Sequence, residues 1–180
     1  MAKPKKKIIL TGAQCTGKTT LMKELASDGT KQLSLAREAA IKNGWTPENG
    51  SSEDYQKALF KEAYKALSSK KNYVSDRGLS CIAAYTFDGA LNGKISKKTA
   101  DNQYIKLQKF HKDNPDVLVV YLPIEFEIES DGVRDINKEN QTKMDFLIHN
   151  LLETAEISYI TVTGSVEERL NQINEALAKM

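Results

Sequence analysis

The eight residues Gly12-Ala13-Gln14-Cys15-Thr16-Gly17-Lys18-Thr19 restrict what this chain can fold into more than any other stretch. They fit G-x-x-x-x-G-K-[ST] at every fixed position. They also stand in the right context, between the apolar run 7–10 and the helical pattern 17–26. The glycines let the backbone curl so that successive N–H groups face one enclosed anion. The helix that begins near Gly17 adds its positive dipole end. A lysine and a hydroxyl at these positions suit the phosphates and the Mg²⁺ of a bound nucleoside triphosphate. Lys18 reaches the β- and γ-phosphates, and Thr19, followed by Thr20, lies at the metal. The bland alternative is a glycine-rich loop with a solvated lysine, against which both flanks count.

The rest of the chain reads as strands alternating with helices. Apolar, β-branched runs at 7–10, 32–35, 73–75, 117–122 and 159–162 predict strands. The run 117–122 is apolar throughout, as expected of a strand covered on both faces. Helical spacing is visible at 17–26, 52–67, 79–91, 96–111, 137–154 and 166–178. The alternation predicts an α/β fold with three layers, a five-stranded parallel sheet with helices on both faces. One domain over 1–180 is expected, with a surface loop at 44–52 and a lid at about 124–140.

Bulk composition narrows the setting. The chain has 180 residues and a net charge of +2, which gives no strong global field toward nucleic acid or membrane. Lys3, Lys5, Lys6 and Lys7 form a short basic flank, which most simply stays solvated. Two cysteines, Cys15 and Cys81, suggest neither a disulfide framework nor a zinc site. No apolar run is long enough to span a bilayer, and the basic start is not followed by a signal-peptide core. A cytoplasmic protein is expected.

Asp76 and Arg77 follow the third apolar run, at the sheet edge that faces the phosphate loop. A carboxylate there can hold a metal or accept a proton from an attacking hydroxyl, and the arginine fork suits a phosphate or carboxylate. The bland alternative is a surface ion pair. Glu38 ends the run through Leu33 and Leu35. It reads equally as a residue that contacts the acceptor, or acts as base, and as an acid that opens a helix. Asp131-Gly132-Val133-Arg134-Asp135 reads as a lid whose Arg134 closes over a transferring phosphate, or as a solvated charged loop. Trp45 and Tyr55 suit stacking on a flat acceptor or ordinary packing. His111 and His149 read as structural or surface residues.

Ser75-Asp76-Arg77-Gly78-Leu79-Ser80 with Ala84-Tyr85 resembles the Asp-Arg segment of thymidylate kinases, with Gly78 where an aromatic residue is usual. The ordered set of the phosphate loop, Glu38-Ala39-Ala40, Asp76-Arg77 with Tyr85, Asp131-Gly132-Val133-Arg134 and Gly164-Ser165-Val166-Glu167-Glu168-Arg169 is similar to a wider family. This is the kinase-like P-loop ATPases that include the nicotinamide riboside kinase domain and many phage proteins. Ile41 stands where that family often has an arginine. The resemblance implies ATP with Mg²⁺, a nucleotide cradle of residues 12–20, and Thr163, Gly164 and Ser165 beside the adenine. It implies Lys18, Asp76, Arg134 and Glu38 as catalytic, Thr19 and Asp76 at the metal, and Glu38 and Arg77 at the acceptor.

The leading expectation is a kinase that moves the γ-phosphoryl group of ATP to a nucleoside or nucleotide. The alternatives are a partner-dependent ATPase switch and a phage-type kinase acting on a hydroxylated base in DNA. No membrane partner is expected, and nucleic acid is a weaker expectation than a small molecule. Oligomeric state is open, a homo-oligomer included.

Overall fold

The computed structural model describes residues 6–44, 52–125 and 138–180. Five strands, β1 (Lys7–Thr11), β2 (Lys31–Leu33), β3 (Tyr73–Asp76), β4 (Leu118–Tyr121) and β5 (Tyr159–Thr161), pair in the order β2-β3-β1-β4-β5. Every pairing is parallel. The order reverses beside β1: its Ile8 pairs with Val74 on one side and Leu118 on the other. Such a switch point opens a crevice at the carboxyl ends of the strands, where the loop after β1 emerges.

Period-two alternation divides the apolar residues of the strands between two cores. Ile8, Leu10, Val74, Leu118 and Val120 pack with Leu21, Met22 and Leu25 of α1 (Lys18–Leu25) and Ile173 of α7 (Val166–Ala178). Ile9, Val119 and Tyr121 face the other way. They meet α2 (Leu35–Asn43), α3 (Glu53–Leu67), α4 (Leu79–Leu91), α5 (Lys97–Asp113) and α6 (Lys138–Thr154) through residues such as Leu59, Ile82, Leu107 and Ile148. The result is the expected three-layer α/β fold, a five-stranded parallel sheet with helices on both faces.

The helix starts carry the expected chemistry. Ser52 caps α3 by accepting from Tyr55 N, and Ser96 caps α5 by accepting from Thr99 N. Ser165 and Glu168 form a reciprocal capping box on α7.

One element departs from expectation. The strand predicted at 32–35, running on to Glu38, ends at Leu33, and Leu35 begins α2. Leu33 and Leu35 are both buried in the same core, so their spacing mimics a strand across a strand-to-helix junction. Glu38 bends back so that Ser34 N donates to its carboxylate at 3.0 Å. Gly44, left-handed at φ 65°, ends the helix. Most of the predicted loop at 44–52 and of the predicted lid at about 124–140, including Trp45, Gly132 and Arg134, lies outside the described residues. At the far end of that lid Lys138 is already helical. Among the described residues no helix is long and apolar enough to cross a membrane.

Candidate active site

The phosphate loop is held in shape by contacts from four directions. Gly12, at φ 144°, lies so close to Leu122 O that a Cβ would collide with it. Thr11 Oγ1 shares contacts of 3.0 Å with Ser80 Oγ and with Cys81 Sγ at the start of α4. Gln141 of α6 donates to Gln14 O at 2.8 Å. Arg169 of α7, almost fully buried, donates from Nη1 to Thr16 O at 2.8 Å and pairs with Glu125. Cys15 takes a left-handed φ of 60° and Gly17 one of 88°. Backbone bent in this way turns consecutive amides toward one point, as an anion cradle requires.

Lys18 is buried at the start of α1, where its ammonium rests on Ala13 O and on Thr16 Oγ1. Burial pushes its pKa down to about 8, and nearby Arg77 adds to the shift. Thr19 Oγ1 donates to Asp76 Oδ2 at 2.5 Å. The two oxygens read from sequence as a metal pair therefore meet across 57 residues of chain. Both are hard oxygen donors, the chemistry that magnesium prefers, and phosphate oxygens in the cradle would complete such a set. Among the described residues no group of three or more His, Cys, Asp or Glu side chains is gathered for a metal.

Arg77 follows directly on β3 in a strained left-handed conformation, φ 104°. Its amide donates to Leu10 O at 3.0 Å, and Ser75 Oγ donates to its carbonyl at 2.7 Å. These bonds hold a backbone that a non-glycine residue seldom adopts. The guanidinium lies 5.9 Å from the ring centre of Tyr85, within cation–π range. Gly78 next to it has no room for a side chain, since a Cβ would lie 2.5 Å from Ile9 Cγ2. This packing accounts for glycine where thymidylate kinases usually have an aromatic residue.

Gln14, Lys18, Thr19, Asp76 and Arg77 line one cavity of about 650 Å³. Ser34, Ala36, Arg37, Tyr85 and Asn140 line it as well. Lys18, Thr19, Asp76 and Arg77 are thus brought together as sequence reading expected. Glu38 is not among the lining residues. It is solvent-exposed and occupied at the start of α2, and Arg37 is the member of that charge pair that lines the cavity. Thr163, Gly164 and Ser165 form the turn between β5 and α7. Their amides are engaged by Gln172, Glu125 and Glu168 respectively. Arg134 lies outside the described residues. Sequence reasoning passed over Asn140 and Gln141, which sit in a helix with no motif. It also passed over the grip of Arg169 on the loop, because nothing local ties position 169 to position 16.

The cavity thus gathers three cationic side chains, Lys18, Arg37 and Arg77, with one carboxylate, Asp76, a lining suited to an anionic ligand.

A family model described as AAA domain matches residues 7–169. No curated protein matches the chain by sequence. Among solved structures, the NadR protein in complex with NAD and AMP-PNP is similar, with a TM-score of 0.67 at 15% identity. The match covers 98% of this chain and 50% of that one, so the chain spans half the length of the NadR protein. Deoxyadenosine kinase from M. mycoides has a TM-score of 0.67 at 15% identity, with 96% of this chain and 98% of that one covered. Thymidylate kinase from Candida albicans has a TM-score of 0.61 at 16% identity, with 99% and 93% covered. At such identities the likeness is one of fold.

Proposed function

The chain belongs to the AAA domain family, and from that membership and the geometry of its cavity we propose that it is an ATP-dependent phosphotransferase acting on a nucleoside or nucleotide. The observation that carries this reading is the bond between Thr19 and Asp76 in a cavity that Arg77 and Arg37 also line. The similarity in fold to proteins named deoxyadenosine kinase and thymidylate kinase supports it.

In this reading Lys18 and the loop amides bind and orient the phosphates of ATP. Magnesium, held by Thr19 with Asp76, would neutralise phosphate charge. Asp76 is also placed to accept the proton of the attacking hydroxyl. Arg77, fixed by its backbone and by Tyr85, orients the acceptor, with Arg37 lining the same cavity. Such chemistry depends on alignment and charge neutralisation more than on covalent steps by the protein. The turn at Thr163, Gly164 and Ser165 is assigned to the rim of the base through its family resemblance, and Arg134 to the closing side of the site.

The test is incubation with γ-labelled ATP, magnesium and a panel of nucleosides, nucleotides, nicotinamide riboside and oligonucleotides. Label is expected on a small-molecule acceptor. Asp76→Asn should reduce that transfer about 10²-fold or more while ATP affinity changes little, because the amide keeps shape and loses charge. Label recovered only as inorganic phosphate would remove the transfer reading, and label on oligonucleotides would replace the acceptor class.

A further inference from the structure

Lys18 rests on Ala13 O, and its ammonium, with three N–H donors, can keep that carbonyl while it faces a phosphate. The first half of the loop has further support beside this lysine. The groups on that side come from α6 and the end of β4. Gln141 donates to Gln14 O across 127 residues of chain. One helical turn further, Asp145 accepts from the Tyr121 hydroxyl at 2.9 Å. Its second oxygen, Oδ1, is shut off from solvent, and no described residue gives it a full hydrogen bond. The backbone amide of Ala13, on the loop side, lies near enough to favour the charged form of this carboxylate, short of a full hydrogen bond. Tyr121 is itself fixed, stacked on His149 at 5.1 Å and 18°. His149 in turn bonds the Tyr159 hydroxyl at 2.8 Å.

We propose that Asp145 is a positioning residue: fixed by Tyr121 and set behind the Ala13 amide, it keeps the first half of the phosphate loop in its binding shape. Asp145 does not line the substrate cavity, so it acts through the loop and not on the reacting atoms. A cradle already in shape loses less conformational freedom when phosphate enters, and the gain appears as affinity. The carboxylate serves as a hydrogen-bond acceptor in a fixed place. An asparagine can supply the same acceptor, and a leucine cannot. The inference rests on the reading of the loop as a nucleotide site.

The experiment measures the affinity of the full chain for a non-hydrolysable ATP analogue with magnesium, beside KM and kcat for transfer and the thermal midpoint. Asp145→Leu should weaken analogue binding by about tenfold or more, near the loss of one charge-assisted hydrogen bond. KM for ATP should rise with it, and kcat at saturating ATP should change by less. Asp145→Asn should stay within about threefold of wild type, as one hydrogen bond is kept. If Asp145→Leu does not fold, Tyr121→Phe carries the test, since it frees the carboxylate and should weaken binding several-fold. Wild-type affinity in the folded leucine variant, or in Tyr121→Phe where that variant carries the test, overturns the inference. So does an asparagine variant as weak as the leucine one, which would make charge the agent. A wild-type chain that binds no analogue overturns the nucleotide reading itself, and the inference with it.

Discussion

Lys18 is held beneath the loop it belongs to, in surroundings that favour its neutral form, and this makes nucleotide binding sensitive to mild alkali. Its pKa of about 8 is below the ordinary 10.5 because burial disfavours the ammonium. Bound triphosphate supplies negative charge and raises that pKa again, so binding takes up a proton once the pH exceeds about 8. ATP affinity should therefore fall as pH rises above about 8, with a slope approaching tenfold per pH unit. Calorimetry in buffers of different ionisation enthalpy would detect the uptake, and a flat profile from pH 7 to 9.5 would contradict it. For the unliganded chain the sign is opposite: the unfolded lysine holds its proton longer, so stability from this group rises between about pH 8 and 10.5. That Lys18, Thr19, Asp76 and Arg77 would share one cavity was legible in the sequence because each follows a strand by a short, fixed spacing. The place of Glu38 outside its lining was not, since its alternative positions differ only in where a helix begins.

At the scale of elements, α7 acts as a clamp on the start of α1. Arg169 bridges Thr16 O and Glu125, and Glu125 also accepts from Gly164 N. Three segments distant in sequence thus meet at one guanidinium. Arg169→Leu should cost about 2–4 kcal/mol, because it strands a carboxylate and a carbonyl that the arginine satisfied. Adding Glu125→Gln should recover part of that loss, since the unpaired charge is gone. Urea unfolding of the three variants checks both statements, and an additive or worse double variant would show that Glu125 is not what Arg169 stabilises. The alternation of strands and helices was readable because parallel strands buried on both faces are nearly all apolar, as in β4. The junction at Leu33–Leu35 was misread because two buried leucines two residues apart satisfy strand periodicity across a helix start. The bracing of the loop by α6 and α7 was invisible, as such contacts depend on the closed fold and leave no local spacing.

For the molecule as a whole, acid stability carries the mark of one half-hidden histidine at the end of the sheet opposite the site. His111, edge-on to Phe110 at 5.0 Å, borders a hollow between α5 and the turn that precedes β5. Burial lowers its pKa to about 4, so the unfolded chain takes up the proton first. Stability should decline as pH falls from about 6.5 through 4, by on the order of 1–3 kcal/mol from this group. His111→Gln should flatten that part of the denaturation profile relative to wild type, and parallel profiles would exclude His111 as a cause. The order of the sheet has a consequence for the chain during its synthesis. Lys7–Thr11 leaves the ribosome ahead of both strands it pairs with, Tyr73–Asp76 and Leu118–Tyr121. Parallel pairing allows no local hairpin to shelter it in the meantime. The central strand is therefore made early and paired late, a nascent segment with two open edges. The lysines just before it in sequence are suited to act as gatekeepers against aggregation while it waits.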